Sequence, residues 1–175
     1  IFPELNEISC RVTRDFYHKY TADEHTLLTV RNVERLLNNP RFGPVLRELR
    51  APELLVLALL YHDVGKARDG DHSIVGARIA RKQCPRLGMT AAETELVVWL
   101  IEEHLAMSNV AQSRDISDPR TAQDFATRVQ SPERLNLLFL LTVADIRAVG
   151  PGVWNGWKGQ LLRTLYYETE PLVSG

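Results

Sequence analysis

The sequence predicts an all-α fold, and two observations carry that prediction. Apolar residues recur at intervals of three and four along most of the chain, whereas the strict alternation of a β-strand never persists. Leucine, which is a good helix former, supplies 25 of the 175 residues. We therefore expect a bundle of helices packed around a shared core.

Composition is that of one ordinary globular domain. Hydrophobic residues make up 45% of the chain and charged residues 25%, and the formal net charge is −1. This balance excludes a disordered chain and a polybasic arm, so we expect no nucleic-acid partner. The longest unbroken apolar run, residues 54–61, is too short to cross a bilayer, and we expect no membrane partner.

The start of the chain and its cysteines indicate the cellular location of the protein and whether the chain is part of a longer one. No secretory signal opens the sequence. Cys10 and Cys84 lack a metal-type spacing, and we interpret them as reduced thiols of a cytoplasmic protein. Because the first residue is Ile1 rather than Met, we expect residues 1–175 to be a single domain from a longer, multidomain polypeptide.

Signals in the first half of the chain predict three helices and a loop. Thr21 or Asp23 offers an N-cap oxygen for the second helix, and an Asn-Asn-Pro run ends it. Pro52 stands at a typical first helical position before a nearly all-apolar, buried helix. Residues 65–70 contain two glycines and predict a loop. The predicted helices cover residues 4–18, about 21–37 and 53–63.

Further capping signals organise the second half. Asp71 or Ser73 can cap a helix that reaches residue 82, and Thr90 with Glu93 forms a capping box. Proline and glycine supply the stops between elements. The remaining predicted helices cover residues 90–105, 119–129, 132–148 and a last segment, 154–166, whose Trp154 and Trp157 are expected in the core.

Two carboxylates stand where a charge is costly. Asp63 follows His62 at the end of the apolar helix, and Asp145 lies inside the apolar run of residues 137–146. A buried carboxylate needs a partner charge or a metal. The simplest joint solution is one cation shared between packed helices. Imidazole and carboxylate ligands suit Mn²⁺, Fe²⁺, Zn²⁺, Ni²⁺ or Co²⁺.

Three more histidines can join this set. His25, His72 and His104 fall at predicted helix ends or first turns, where side chains from different helices can converge. His18 also ends a predicted helix, and we interpret it as an ordinary surface or core histidine. The candidate ligand set is therefore His25, His62, Asp63, His72, His104 and Asp145.

The order of His25, His62-Asp63 and Asp145 on an all-α chain resembles the HD superfamily of metal-dependent phosphohydrolases. A wider set of strings is similar to the HD domain of bacterial bifunctional PII uridylyltransferase/uridylyl-removing enzymes. This resemblance extends over nearly the whole chain. The similar strings are residues 20–27, 61–66, 70–73, 99–100, 104–105, 141–146 and 154–158.

The resemblance implies roles for particular residues. In HD enzymes the first His, the His-Asp pair and the last Asp hold a metal, which corresponds here to His25, His62, Asp63 and Asp145. In the binuclear subset two further histidines bind a second ion, and the Asp of the pair bridges both ions. His72 and His104 stand at those positions. The resemblance favours Mn²⁺, with Fe²⁺, Zn²⁺ or Mg²⁺ left open, and one or two ions.

The implied reaction is hydrolysis of the phosphodiester between UMP and a tyrosine of the nitrogen-regulatory protein PII. Uridylylated PII would be the substrate and UMP the product. Asp63 would act through the metals, and Lys66 would contact the phosphate as a point charge. Because no nucleotidyltransferase Gly-Ser motif is present, uridylyl transfer and regulation would belong to neighbouring domains.

Two alternatives stay open. Another HD hydrolase could act on a nucleotide, an alarmone or a cyclic dinucleotide. However, alarmone hydrolases usually carry an acidic pair after His-Asp, where this chain has Val64, Gly65 and Lys66, and the Gly-Tyr-Pro signature of the cyclic-dinucleotide class is absent from the sequence. The other alternative is a non-catalytic regulatory HD module, against which the complete set of six candidate ligands argues.

Overall fold

The computed structural model describes residues 2–11 and 20–175, and the regular structure of those residues is entirely helical. Two of the helices are short 3₁₀ helices, Val64–Ala67 and Cys84–Leu87. The α-helices are α1 Pro3–Asn6, α2 Ala22–Leu37, α3 Gly43–Glu48, α4 Pro52–Tyr61, α5 His72–Gln83, α6 Ala91–Glu102, α7 Ala106–Ser113, α8 Pro119–Val129, α9 Pro132–Val149 and α10 Gly156–Val173. The all-α prediction is confirmed.

Helix α9 lies at the centre of the bundle. Its side chains are buried from Leu137 to Ala144 without interruption, so that no face of this stretch reaches solvent. Helices α2, α4, α6, α7 and α10 pack around it. On the α10 side, the ring of Phe139 stacks on Tyr166 with centroids 4.5 Å apart. Asp145 follows directly on this enclosed stretch, so its carboxylate lies beside a closed apolar core.

Local hydrogen bonds explain where several helices begin. The backbone N–H of Thr90 donates to Glu93 Oε2 at 2.8 Å, which confirms the predicted capping box. Asp71 Oδ1 accepts from the backbone N–H of Ser73 at 2.8 Å and caps α5. None of the helices in the described ranges is both long enough and apolar enough to span a membrane.

Two predicted elements in the first half need correction, and one helix was not predicted. The helix expected over residues 4–18 ends at Asn6, and a turn follows, with Cys10 in the left-handed region at φ 55°. The rest of that helix, with His18, lies outside the described residues. The expected loop 65–70 is partly a 3₁₀ helix, Val64–Ala67. Helix α3 was not predicted, although Pro44 at its first turn was a usable signal.

Two corrections concern the second half. The helix expected over residues 90–105 ends at Glu102, and a tight turn separates it from α7. Helix α10 begins only at Gly156, so Trp154 precedes it. Trp154 packs against Phe42 as predicted for a core residue, but Trp157 is 65% exposed because the first turn of α10 points it outward.

Candidate metal centre

Six side chains from five parts of the bundle converge on one point. His25 stands in the first turn of α2, and Asp145 lies near the end of α9. His62 is the residue after α4, and Asp63 follows it. The remaining two are His72, the first residue of α5, and His104, in the turn after α6. The structure therefore brings together all six residues that the sequence singled out.

The first group of donor atoms is deeply buried. His25 Nε2 lies 2.8 Å from Asp145 Oδ1 and 3.7 Å from Asp63 Oδ2. His62 Nε2 lies 3.5 Å from each of the same two carboxylate oxygens. The ligand atoms of His25, His62 and Asp63 all lie within 4.8 Å of one another, which is close enough to hold one ion.

A second group shares Asp63. The other carboxylate oxygen, Asp63 Oδ1, lies 3.8 Å from His72 Nε2, and this nitrogen lies 3.3 Å from His104 Nε2. These three ligand atoms also lie within 4.8 Å of one another. Asp63 thus presents one oxygen to each group, as a carboxylate bridging two ions would.

Backbone carbonyls fix three of the imidazoles. The Nδ1 atom of each faces a carbonyl oxygen, in the pairs His25 with Ala148 at 3.1 Å, His62 with Leu59 at 2.6 Å and His104 with Ile101 at 2.7 Å. Because a carbonyl can only accept, Nδ1 carries the proton and donates it. Nε2 of each ring then faces the site, which is the usual orientation of a histidine that binds a metal.

The environment of His62 shows that the site suits a cation. His62 is fully buried, and its Nε2 has no hydrogen-bond partner among the described residues. Burial lowers the pKa of His62, but the neighbouring carboxylates of Asp63 and Asp145 outweigh it and raise the pKa to about 9. The two carboxylates therefore favour a positive charge between them. A divalent ion would supply that charge and also satisfy Nε2.

The two histidines of the second group have lowered pKa values, unlike His62. Burial and the charge of His62 lower the pKa of His104 to about 4. Burial is also the main cause that lowers the pKa of His72. Both imidazoles are consequently neutral near pH 7, with lone pairs available to an ion. Burial raises the pKa of Asp63, but His62 and Lys66 more than offset this and hold it below its usual range.

Lys66 completes the floor of the site. Its Nζ lies 2.7 Å from Asp63 Oδ2, and it stands on the 3₁₀ helix that follows the His-Asp pair. This short helix packs against the start of α5. A Cβ atom at Gly65 would lie 2.1 Å from the carbonyl oxygen of His72, so only glycine permits this approach. Lys66 therefore contacts one oxygen of Asp63, and His72 approaches the other.

The donor groups open into a cavity of about 480 Å³. Asp63, Lys66, His72, His104 and Asp145 form its floor. The walls come from α7, from the end of α9 and from the start of α10. They are lined by Leu105, Ser108, Gln112, Ile146, Val149, Val153 and Lys158.

Comparison with known proteins gives the family. The family model described as "HD domain" matches residues 22–148, which is most of the chain. The chain belongs to the HD family. It is therefore an HD phosphohydrolase domain, a type that binds divalent metals. The match begins at the start of α2 and ends near the end of α9, so it includes all six converging residues.

One relative shares much of the sequence of this HD domain. The bifunctional uridylyltransferase/uridylyl-removing enzyme of Nitrobacter winogradskyi is 57% identical over 169 residues. The alignment covers 92% of this chain and 18% of that protein. The chain thus spans less than a fifth of the length of this curated relative.

Sequence reasoning missed the walls of the cavity in this HD domain. Ser108 and Gln112 lie at helical spacing on α7, just after Leu105, but α7 itself was not predicted. Lys158 belongs to a predicted helix, and nothing in its sequence context separates it from a solvent-exposed lysine. These residues become visible only when the helices are assembled.

Proposed function

We propose that this HD domain hydrolyses the phosphodiester bond between UMP and a tyrosine of PII, and so releases UMP. The main support is the geometry of Asp63, whose two oxygens face two groups of ligand atoms at the floor of a cavity. The name of the relative that is 57% identical includes uridylyl removal, and PII as the substrate is what the family resemblance of the sequence implies. The cytoplasmic location stays a prediction.

The proposed ligands divide into two sets. One ion would be held by His25, His62, Asp145 and Oδ2 of Asp63, and a second by His72, His104 and Oδ1 of Asp63. The mixed nitrogen and oxygen donors suit Mn²⁺, and they also suit Fe²⁺ or Zn²⁺. When bound, such ions would lower the pKa of water and offset negative charge on the phosphate.

The protein itself supplies orientation and charge. Carbonyl contacts fix three imidazoles before any ion arrives, so little rearrangement is needed on binding. Lys66 lines the same cavity and adds a positive charge beside Asp63, where a phosphate would lie. A tyrosyl leaving group has a free pKa of about 10, so a dedicated general acid is less necessary than for an alkoxide.

The cavity suits a nucleotide. Its volume of about 480 Å³ falls within the ~300–1,000 Å³ typical of small-molecule sites. Ser108 and Gln112 can hydrogen-bond polar edges of the nucleoside, while Ile146 and Val149 offer apolar contact. The residues at the floor of the cavity would act on the phosphate, and the residues of its walls would hold the uridine.

We further propose that residues 1–175 act beside other domains. The name of the relative includes uridylyl transfer, and the chain covers only 18% of that protein. The chain's sequence contains no nucleotidyltransferase motif. Transfer and regulation would therefore belong to other parts of a longer polypeptide.

The deciding experiment measures UMP release from uridylylated PII by this chain, with Mn²⁺ and with EDTA. We expect metal-dependent release, and we expect Asp63→Asn to abolish it. Asp124→Asn is the matched control, because Asp124 is exposed on α8 and outside the cavity. Bis(p-nitrophenyl) phosphate is a second substrate in the same assay. Hydrolysis of that ester without UMP release would contradict the PII assignment but retain the phosphodiesterase.

A further inference from the structure

A second cavity lies behind the wall of the first. It has a volume of about 170 Å³ and is lined by residues that precede α3, by the end of α9 and by the start of α10. Three arginines line it: Arg41, Arg147 and Arg163. We call it the arginine pocket. It shares no lining residue with the cavity of the metal centre.

The charges of the arginine pocket are uncompensated. Within the described ranges, none of its three arginines forms a salt bridge with a carboxylate. Burial and then the nearby charge of Arg41 lower the pKa of Arg163. Two positive charges thus stand close together, and no described carboxylate lies between them.

Aromatic rings hold one guanidinium group in place. The Cζ atom of Arg147 lies 4.7 Å from the ring centroid of Trp154 and 5.2 Å from that of Phe42. Its Nε atom is buried and has no hydrogen-bond partner among the described residues. A Cβ atom at Gly159 would lie 2.9 Å from Trp154, so this glycine makes room for the indole. A donor of Arg147 is therefore fixed in position and unused.

The start of α10 adds to the positive potential. Asn155 and Gly156 line the pocket, and Asn155 caps the helix by accepting from the backbone N–H of Lys158 at 2.8 Å. No acidic residue occupies the first turn of this helix, so its partial positive charge is not neutralised locally. The N-terminus of α10 thus adds to the positive potential that comes mainly from the three arginines.

We propose that the arginine pocket binds a phosphate-type oxyanion. Guanidinium groups present paired N–H donors that match the oxygens of a phosphoryl group. A cavity of about 170 Å³ accepts such a group but is smaller than the ~300 Å³ at which sites for whole small molecules begin. This inference does not depend on the proposed function, since it uses none of the residues of the metal centre.

The pocket and the metal-centre cavity lie on opposite sides of one segment. Val153 and Lys158 line the metal-centre cavity, while Trp154 and Gly159 line the arginine pocket. An anion held by the three arginines would therefore restrict the segment that forms a wall of the metal-centre cavity.

Calorimetric titration of inorganic phosphate into the EDTA-treated chain tests the proposal, at constant ionic strength set by chloride. We expect one saturable site, and we expect Arg163→Gln or Arg41→Gln to weaken binding about tenfold, the effect of losing a charged hydrogen bond. Arg120→Gln is the matched control, since Arg120 is exposed and pairs locally with Asp118. Circular dichroism melting confirms that each variant is folded.

Two further titrations show where the anion binds and which molecule supplies it. The double variant Lys66→Gln/Lys158→Gln removes the lysines of the metal-centre cavity and should bind phosphate as the wild type does. UMP is titrated separately. UMP binding that Arg163→Gln weakens would identify a nucleotide phosphoryl group as the ligand, whereas phosphate binding alone indicates the free anion. Phosphate affinity that is unchanged in Arg163→Gln and Arg41→Gln, or lost in the lysine variant, would overturn the proposal.

Discussion

The two halves of the metal centre are built differently although they share Asp63. The inner group consists of His25, His62 and Asp145 and is deeply buried, and both of its imidazoles donate Nδ1–H to backbone carbonyls. The outer group consists of His104, which is buried and donates Nδ1–H to Ile101, and of His72, which is held less firmly. The side chain of His72 is 28% exposed, and no carbonyl accepts from its Nδ1 in the part of the chain that the structure describes.

This difference separates a preorganised site from an adjustable one. The inner donors cannot turn away without breaking hydrogen bonds in the core, and their carboxylates need a positive charge whether or not an ion is present. His72 can rotate toward solvent at little cost. We therefore expect the inner ion to bind tightly and the outer ion to exchange more readily.

The largest effect should come from Asp63, which belongs to both groups. Asp63→Ala removes one oxygen from each proposed ion, and UMP release should fall to background because neither ion retains its bridging ligand. Metal content, measured by plasma emission spectrometry after dialysis, should approach zero. Retention of one tightly bound ion would show that the inner group holds its metal without Asp63.

The second prediction compares how much each group contributes to the free energy of unfolding when no metal is bound. In EDTA, His62→Ala removes the imidazole whose Nε2 lies 3.5 Å from both carboxylates and should lower the free energy of unfolding by about 3 kcal/mol. His72→Ala affects a partly exposed side chain and should cost less than about 1 kcal/mol. Urea unfolding measures both values.

Metal content distinguishes the same two variants. His62→Ala should lose the tightly bound ion, whereas His72→Ala should retain it and lose only the exchangeable one. Equal losses in the two variants would show that the halves are a single cooperative unit and that the division drawn from burial is wrong.

Lys66 tests whether the floor of the cavity acts beyond holding ions. Lys66→Ala should slow turnover about tenfold or more, because it removes a positive charge beside the phosphate. Metal content should be unchanged, since an ammonium group cannot be a ligand. Steady-state kinetics at saturating Mn²⁺ measure the effect. Unchanged kinetics would indicate that Lys66 serves only to pair with Asp63.

The inner group was easier to predict than its surroundings. A carboxylate at residue 63 or 145 stands out because the residues around it are apolar, and burial of an unpaired charge is costly. His72 stood out only through its place after a predicted cap and through the family resemblance. The prediction of the site therefore rested on residues of metal-ligand type at helix ends. The structure adds that these residues converge in space.

The walls could not be predicted for physical reasons. The break between α6 and α7 depends on how the turn at residues 103–105 packs, which no local signal records. Trp157 has the spacing of a core residue, but the position of α10 against its neighbours turns it outward. The arginine pocket joins residues more than 100 positions apart, and no local pattern reports such an assembly.

The smallest effect concerns the cap that places His72. Asp71 accepts hydrogen bonds from Ser73 and Ile74, so Asp71→Ala should cost about 1 kcal/mol and fray the first turn of α5. Because His72 is the first residue of that helix, the outer ion should bind several-fold more weakly while the inner ion is unaffected. Manganese titration followed by electron paramagnetic resonance resolves the two affinities.

A matched cap elsewhere separates local placement from general destabilisation. Asp118 caps α8 in the same way, by accepting from the backbone N–H of Arg120, and α8 contributes nothing to the cavity of the metal centre. Asp118→Ala should cost a similar free energy of unfolding and leave both metal affinities unchanged. If instead both cap variants weaken the outer ion equally, its affinity follows global stability. The contrast between a fixed inner group and an adjustable outer group would then have to be abandoned.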